Sequence, residues 1–364
     1  MRTVRVAVVG CGSASGKYQR HLGQSPYVNL VAVCGQDHDR ARRHAETYAI
    51  EHAYEDLGRM LAELDFELLV NLTPMPLHDT VSRQALEGGR NVWSEKPIAT
   101  ELAEAQALLA LARRQGVGLW GSPANPISPA FQSMANMLAS GAIGRVHAAH
   151  GIAGSSGPDW PGSAWFYRKG GGSLFDLGVY TVTLLTGLLG PAQGVVALSG
   201  TAIPRRTIGG ESITVEADDN TALILDHGDA VYSVIQTGFV YGAQRDEWTM
   251  QLIGTDGAMT MGGYPWEPQG VSVHRGERAN ASGHWERLGR DEGETYVWQS
   301  GATYIAECLA REVQPILSGE HAVHTLDVMQ AALHAAQSGH NVRICSTSPW
   351  PLPKRGNEQG MKLA

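Results

Sequence analysis

Cysteine is scarce. The four residues Cys11, Cys34, Cys308 and Cys345 are scattered over 364 positions. No CxxC pair or zinc-like spacing occurs among them, so they neither staple a fold of this length nor supply a structural metal site; they read as reduced thiols of a cytosolic protein. Charge is also thin at 18%, against 43% apolar residues, which excludes a disordered chain or a coiled coil. Basic side chains (28) are outnumbered by acidic ones (36), leaving no surplus for phosphate backbones, and nucleic acid is not an expected partner. Long apolar runs are missing too: the stretch from Leu184 to Leu198 is broken by Gly187, Gly190 and Pro191. The chain enters a strand-like run at Val4 without a leader-like segment before it. A soluble, cytoplasmic protein with no membrane partner is expected. Repeats and low-complexity tracts are absent. Glycine, by contrast, is plentiful at 44 residues and follows no period, which points to tight turns and close backbone approaches.

The chain is long enough for two domains. Apolar strand-like runs at residues 4–9, 30–34, 67–71, 91–93 and 117–120 alternate with helix-compatible segments at 14–23, 39–48, 77–87 and 101–114. Strands separated by helices are what a doubly wound parallel sheet requires. Beyond residue 121 the pattern changes. A helix near 131–138, a strand near 146–151, a Gly- and Trp-rich loop over 154–172 and a helix over 173–189 precede strand candidates at 195–198, 221–225, 230–236, 248–253 and 258–261. Asp256-Gly257 fits a hairpin turn between the last two. Two helices, 296–317 and 322–338, and a short strand over 342–345 close the chain. The expected fold is α/β: an N-terminal Rossmann doubly wound parallel sheet over 1–121, then an α+β domain with a mostly antiparallel open sheet over 122–364.

Gly10-Cys11-Gly12-Ser13-Ala14-Ser15 follows the first strand and opens the first helix, the setting of a dinucleotide fingerprint. Gly10 permits the tight turn, Gly12 lets the backbone approach a pyrophosphate, and the helix N-terminus offers N–H groups and a positive dipole end. Ser15 stands at the third position, small enough for close helix packing. At the end of the second strand, where an acid would take the ribose 2′-hydroxyl, the chain has Gly35 and Gln36, with Asp37 two positions late and Arg40, Arg42 and Arg43 beyond. Loss of the carboxylate and a nearby Arg40 favour NADP over NAD as the cofactor.

Thr73-Pro74-Met75-Pro76-Leu77-His78, Trp93-Ser94-Glu95-Lys96-Pro97 and Gly170-Gly171-Gly172-Ser173-Leu174-Phe175-Asp176-Leu177-Gly178-Val179-Tyr180 follow in order, with Glu320-His321-Ala322-Val323-His324-Thr325-Leu326-Asp327 near the C-terminus. Together with the glycine turn, this series resembles the glucose–fructose oxidoreductase / inositol dehydrogenase / rhizopine-catabolism (Gfo/Idh/MocA) family over nearly the whole chain. The resemblance implies a nicotinamide-dependent enzyme acting on a sugar, polyol or related cyclic alcohol, with substrate between the domains. It also implies that Lys96 orients the reacting hydroxyl while Asp176 and Tyr180 complete a proton pathway. Thr73, Pro74, His78, Glu95 and Lys96 would line the cofactor.

The residues agree with that chemistry. Hydride transfer from a carbinol also needs a base within reach of its hydroxyl. Lys96 falls at the C-terminal edge of the expected parallel sheet, and Asp176 and Tyr180 stand at i and i+4, one helical face. Where many members carry histidine, this chain has Tyr180, so the base is left open between Tyr180 and Lys96. Trp165 and Arg168 are candidates to cover the nicotinamide or pyrophosphate, and Trp160 and Tyr167 to shape a sugar pocket. Pro126 replaces a family arginine within Asn125-Pro126-Ile127-Ser128-Pro129. His321, His324 and Asp327 share a helical face without catalytic surroundings, and no metal is expected. Two other functions stay open at this level: a redox-neutral glycosidase or epimerase-like enzyme, and a non-catalytic ligand sensor. A helix-free sheet face, as in the family, suggests a homodimer or homotetramer.

Overall fold

A computed structural model describes residues 1–242, 248–275, 285–288 and 296–352. Two compact units are distinguishable: Met1–Ala124 with Val297–Val323, and Asn125–Tyr296 with His324–Leu352.

In the first unit, apolar runs buried on both faces become the strands of a six-stranded sheet, the pattern that parallel sheets demand. Its elements are β1 (Val4–Val9), α1 (Ser15–Gly23), β2 (Val28–Cys34), α2 (His38–Tyr48), β3 (His52–Tyr54), α3 (Leu57–Glu63), β4 (Leu68–Asn71), α4 (His78–Glu87), β5 (Asn91–Ser94), α5 (Leu102–Gln115) and β6 (Leu119–Gly121). The strand order is β3-β2-β1-β4-β5-β6, with every pairing parallel. This is the doubly wound arrangement, whose order reverses between β1 and β4. The short pair β3 and α3 is an addition to the expected elements; Asp56 caps α3 by accepting the Arg59 N–H at 2.7 Å.

The first unit is not a linear block. A late helix belongs to it because its residues meet the first helix and strand: His21 Nδ1 lies 2.7 Å from Thr303 Oγ1, Arg2 donates to Leu309 O at 2.7 Å, and Trp298 sets its ring edge-on to Tyr18 at 5.4 Å.

The second unit contains α6 (Pro129–Ala139), β7 (Val146–Gly154), α7 (Val179–Leu189), β8 (Gly194–Gly200), β9 (Arg205–Ile208), β10 (Glu211–Thr214), β11 (Asn220–Asp226), β12 (Tyr232–Gly238), β13 (Met250–Gly254), β14 (Gly257–Tyr264), β15 (Glu267–Arg275) and β16 (Trp285–Leu288). The late helix just described is α8 (Ser300–Arg311), followed by α9 (Gly319–Ser338) and β17 (Val342–Arg343). A nine-stranded sheet runs β16-β15-β14-β13-β7-β12-β11-β8-β17, antiparallel except for the β7–β12 pair. β9 and β10 form a separate hairpin.

One face of the large sheet is buried under α7. A Cβ added at Gly151 of β7 would stand 2.2 Å from the Thr181 side chain, so strand and helix pack with no room for one. The opposite face alternates outward: Val196, Leu198, Ile224, Tyr232 and Val234 are all exposed, and Ile224 lies opposite both Val196 and Val234 in neighbouring strands. The patch is apolar and continuous across β8, β11 and β12.

The segment expected as one helix over 173–189 differs from an ideal α-helix. A π turn occupies Leu174–Gly178, and α7 proper starts at Val179. Asp176 therefore sits in the wider turn and Tyr180 in the first α-helical turn, so the simple i, i+4 relation does not describe them.

Candidate functional site

In the first unit, three of the motifs stand at the C-terminal ends of adjacent parallel strands: the glycine turn after β1, Thr73 after β4 and Lys96 after β5. Gly10 has φ +107°, and a Cβ there would fall 2.4 Å from the Leu72 carbonyl oxygen. Only glycine turns the chain this way beside β4. At Gly12 an added Cβ would meet nothing within 4 Å. The space above that backbone is open, the cradle that a phosphate approaching the start of α1 needs. Gly12 and Ser13 are exposed and Ala14 partly so. Ser15, buried, accepts from Gln19 Nε2 at 3.0 Å, and Gln19 Oε1 in turn lies 2.8 Å from His44 Nδ1, which ties α1 to α2.

The end of β2 explains the missing acid. A Cβ at Gly35 would stand 2.8 Å from Cys11 Sγ, so the thiol at the second fingerprint position fills the space a larger residue would need. Asp37 is committed to helix capping: its carboxylate accepts the Arg40 N–H at 2.9 Å. Gln36, Arg40 and Arg43 are exposed, while Arg42 pairs with Asp39 at 3.4 Å. Arg40 still acts on this corner electrostatically. Burial pushes the Cys11 thiol up and the Arg40 charge pulls it back, and burial with Arg40 and Arg43 holds His44 below its ordinary value.

The other two strand ends are built from a buried polar network. Asn71 Oδ1 accepts from the Thr73 N–H and hydroxyl at 3.2 and 2.7 Å, and its Nδ2 donates to His78 O and Ser82 Oγ. His78 is buried with Nδ1 2.7 Å from Pro97 O and Nε2 2.8 Å from Thr73 O. Its ring thus joins the two loops, and both nitrogens are engaged by backbone. Pro74 is exposed beside it. Glu95 turns its carboxylate back on the strand end, accepting from the Tyr18 hydroxyl at 2.5 Å and the Lys96 N–H at 3.0 Å. Lys96, half-buried, follows directly.

In the second unit, the glycine run enters the π turn through a residue that sequence reasoning missed. Asp218 Oδ2 accepts from Ser173 Oγ (2.7 Å), the Leu174 N–H (2.9 Å) and Thr221 Oγ1 (3.3 Å). Gly172 has φ +105°, and a Cβ there would collide with Asp218 Oδ1 at 2.1 Å. Burial pushes the Asp218 carboxyl up, and the hydrogen bonds from Ser173, Leu174 and Thr221 pull it back. Its anchoring fixes the entry of the segment that carries Asp176, half-buried, and Tyr180, buried. One carboxylate in the acidic run 216–219 offers no local signal for that role.

The loop before the glycine run separates its candidates. Trp160 and Trp165 are half exposed, and both rings pack on Phe166, Trp165 stacked at 3.7 Å and Trp160 edge-on at 5.9 Å. Arg168 is exposed. Tyr167 is 1% exposed; its hydroxyl donates to Pro158 O at 2.7 Å and the Arg206 guanidinium lies 5.0 Å from its ring. Tyr167 is therefore occupied in holding the loop rather than presented at its surface.

His324 and Asp327 serve packing. His324 Nε2 accepts the Ala192 N–H at 3.0 Å, and Asp327 accepts the N–H groups of Cys345 and Ser346. Among the described residues no helix is long and apolar enough to cross a membrane.

Two family models match the chain. Residues 4–121 match the oxidoreductase family with an NAD-binding Rossmann fold, and residues 131–260 the GFO/IDH/MocA C-terminal domain. Among curated relatives, D-apiose dehydrogenase of Paraburkholderia graminis is 25% identical over 93% of this chain and 89% of its own. The dTDP-3,4-didehydro-2,6-dideoxy-alpha-D-glucose 3-reductase of Streptomyces violaceoruber is 28% identical over 72% of this chain and 73% of its own. Among solved structures, levoglucosan dehydrogenase in complex with NADH superposes with a TM-score of 0.84 at 17% identity, covering 95% of this chain and all of that one (100%).

Proposed function

Because the chain belongs to the Gfo/Idh/MocA oxidoreductase family, we propose that it transfers a hydride between a nicotinamide dinucleotide and a hydroxyl or carbonyl carbon of a sugar, polyol or related cyclic alcohol. The observation that carries this reading is the alignment of the glycine turn, Thr73 and Lys96 on the ends of three adjacent parallel strands, where doubly wound folds bind ligands. Its support in kind comes from relatives named for sugar substrates.

The dinucleotide, when bound, supplies the hydride acceptor or donor. Gly10, Gly12, Ser13, Ala14 and Ser15 would hold its pyrophosphate. Gly35, Gln36 and Arg40 would face the adenosine ribose, with Thr73, Pro74, His78 and Glu95 shaping the nicotinamide end and Trp165 and Arg168 covering it. Lys96 donates a hydrogen bond to the substrate oxygen and stabilises negative charge on it. Lys96, Asp176 and Tyr180 together take up or return the hydroxyl proton, and Trp160 offers an apolar face to the substrate. We assign the dinucleotide to residues 1–121, and substrate and self-association to 122–364. The continuous apolar sheet face is proposed to be covered by a second copy, giving a dimer or tetramer. Light scattering of the purified protein should return two or four times the chain mass; a monomer at micromolar concentration rejects it. Four cysteines without a disulfide among them suit a reducing cytoplasm.

The test is direct. Reduced-cofactor fluorescence should report binding of NADH or NADPH, and a sugar and polyol panel with the matching oxidised nucleotide should generate reduced nicotinamide. Failure to bind either nucleotide overturns the proposal. We further propose NADP as the preferred form. Arg40→Ala should then weaken NADPH about tenfold while leaving NADH nearly unchanged, the worth of one charge-assisted hydrogen bond. Equal effects on both nucleotides refute that preference.

A further inference from the structure

We propose that the hairpin joining β14 and β15 carries a carbohydrate-ring subsite. In it, the stacked pair Tyr264 and Trp266 extends the aromatic wall begun by Tyr180 and takes the apolar face of the sugar beyond its reacting carbon. The proposal rests on the oxidoreductase reading for the role of Tyr180, but its own evidence is separate.

The hairpin tip is set by backbone geometry. Tyr264 pairs with Glu267, so the chain reverses through Pro265 and Trp266, and the register slips between Met261 and Gly262. Gly263 has φ +77°, and a Cβ there would stand 2.6 Å from Glu267 O. A bulge of this kind re-aims the residues that follow it. Here it presents two aromatic rings side by side: Tyr264 and Trp266 are parallel to within 6°, with centroids 4.9 Å apart. Trp266 in turn meets the ring of Tyr180 edge-on at 6.2 Å and 62°.

The hairpin is registered to the helix by one buried amide. Asn125 Nδ2 donates to Tyr180 O at 2.9 Å and to Pro265 O at 3.3 Å, so a single side chain fixes the separation between the phenol-bearing turn and the hairpin tip. Both donors of that amide are spent on this tie.

Packing alone does not account for Tyr264, which is 42% exposed although its ring is held in a stack. A sugar ring presents axial C–H groups on one face and hydroxyls at its edge. A rigid aromatic face matches the C–H side of that pattern and loses little rotamer freedom on contact. The subsite thus makes the distal part of the substrate a specificity element, distinct from the group that reacts.

The experiment is a titration of the whole protein with D-glucose, D-xylose, cellobiose and maltose, followed by saturation-transfer difference NMR, beside fluorescence titration with NADH and NADPH. Tyr264→Ala is expected to weaken sugar binding about tenfold, as loss of a stacking contact does, with nucleotide affinity unchanged and Tyr264→Phe restoring the wild-type value. For any panel sugar that is oxidised, KM should rise with kcat preserved. Undiminished sugar binding by Tyr264→Ala overturns the subsite, as does a wild-type protein that binds nucleotide but none of the four sugars. Sugar binding that depends on Tyr264 in a protein that binds neither nucleotide would support the subsite while refuting the oxidoreductase reading.

Discussion

Lys96→Met should lower kcat about 10²–10⁴-fold, the range expected when a positioned proton-handling group is lost. The substitution keeps the length and apolar stem of the side chain and removes its charge. The Lys96 N–H donates to Glu95, and the following residue's carbonyl, Pro97 O, lies 2.7 Å from His78 Nδ1, so these backbone ties do not run through the ammonium. A thermal melt and a nucleotide titration of the variant beside wild type separate a chemical defect from an unfolded protein. Asp176→Asn and Tyr180→Phe should each cost activity as well. If the three groups work on one proton, the triple variant will be hardly worse than the most damaging single one. A Lys96→Met enzyme that turns over its substrate at the wild-type rate would remove the lysine from the chemistry.

The first-unit strands and helices were readable because each announces itself locally. The run 4–9 is apolar and β-branched, and the glycine turn after it sits where a strand must stop and a helix start. β3 escaped because three half-buried residues carry no period, and α3 because it is only seven residues long. β15 escaped for a different reason: Pro268 and Gly270 read as breakers, yet the strand tolerates them next to the register slip at its hairpin end. α8 was readable as a helix but not as a member of the first unit, since its place depends on contacts with Tyr18, His21 and Arg2 far back in the chain.

The site divides along the same line. Gly10, Gly12, Lys96, Asp176 and Tyr180 could be nominated as candidates from residue type, spacing, neighbouring elements and the family resemblance. What positions them could not. Asp218 closes the entry to the π turn across 45 residues, and Asn125 reaches Tyr180 across 55 and Pro265 across 140. Their carboxylate and amide are ordinary in sequence and become specific only when folding brings donors to the carboxylate and acceptors to the amide. The π turn is equally silent, because Leu174–Gly178 has the composition of any helix start. Tyr167 shows the converse: its sequence suits a sugar pocket, but Pro158 O and Arg206 occupy it.

Acid should destabilise the second unit through His324, and by more than a surface histidine would allow. The ring is wholly buried in α9, with Nε2 accepting the Ala192 N–H and Nδ1 2.9 Å from Ser346 Oγ, an arrangement that suits the neutral imidazole. Burial is the main cause holding its pKa down to about 4; nearby His227 acts in the same direction, while Asp327 and the contact with Ser346 act against it. Unfolded, the ring titrates near ~6.5. The unfolded chain therefore binds the extra proton first, and stability that is complete above pH ~6.5 is lost progressively as pH falls toward about 4. That gap corresponds to about 3 kcal/mol in total, of which about 2 is gone by pH ~5. His324→Gln keeps an acceptor for the Ala192 N–H and removes the titration. Chemical denaturation of both proteins at pH ~7 and ~5 should show the variant losing about 2 kcal/mol less than wild type on acidification. Identical losses in the two proteins would mean that His324 is not the group that couples protons to folding.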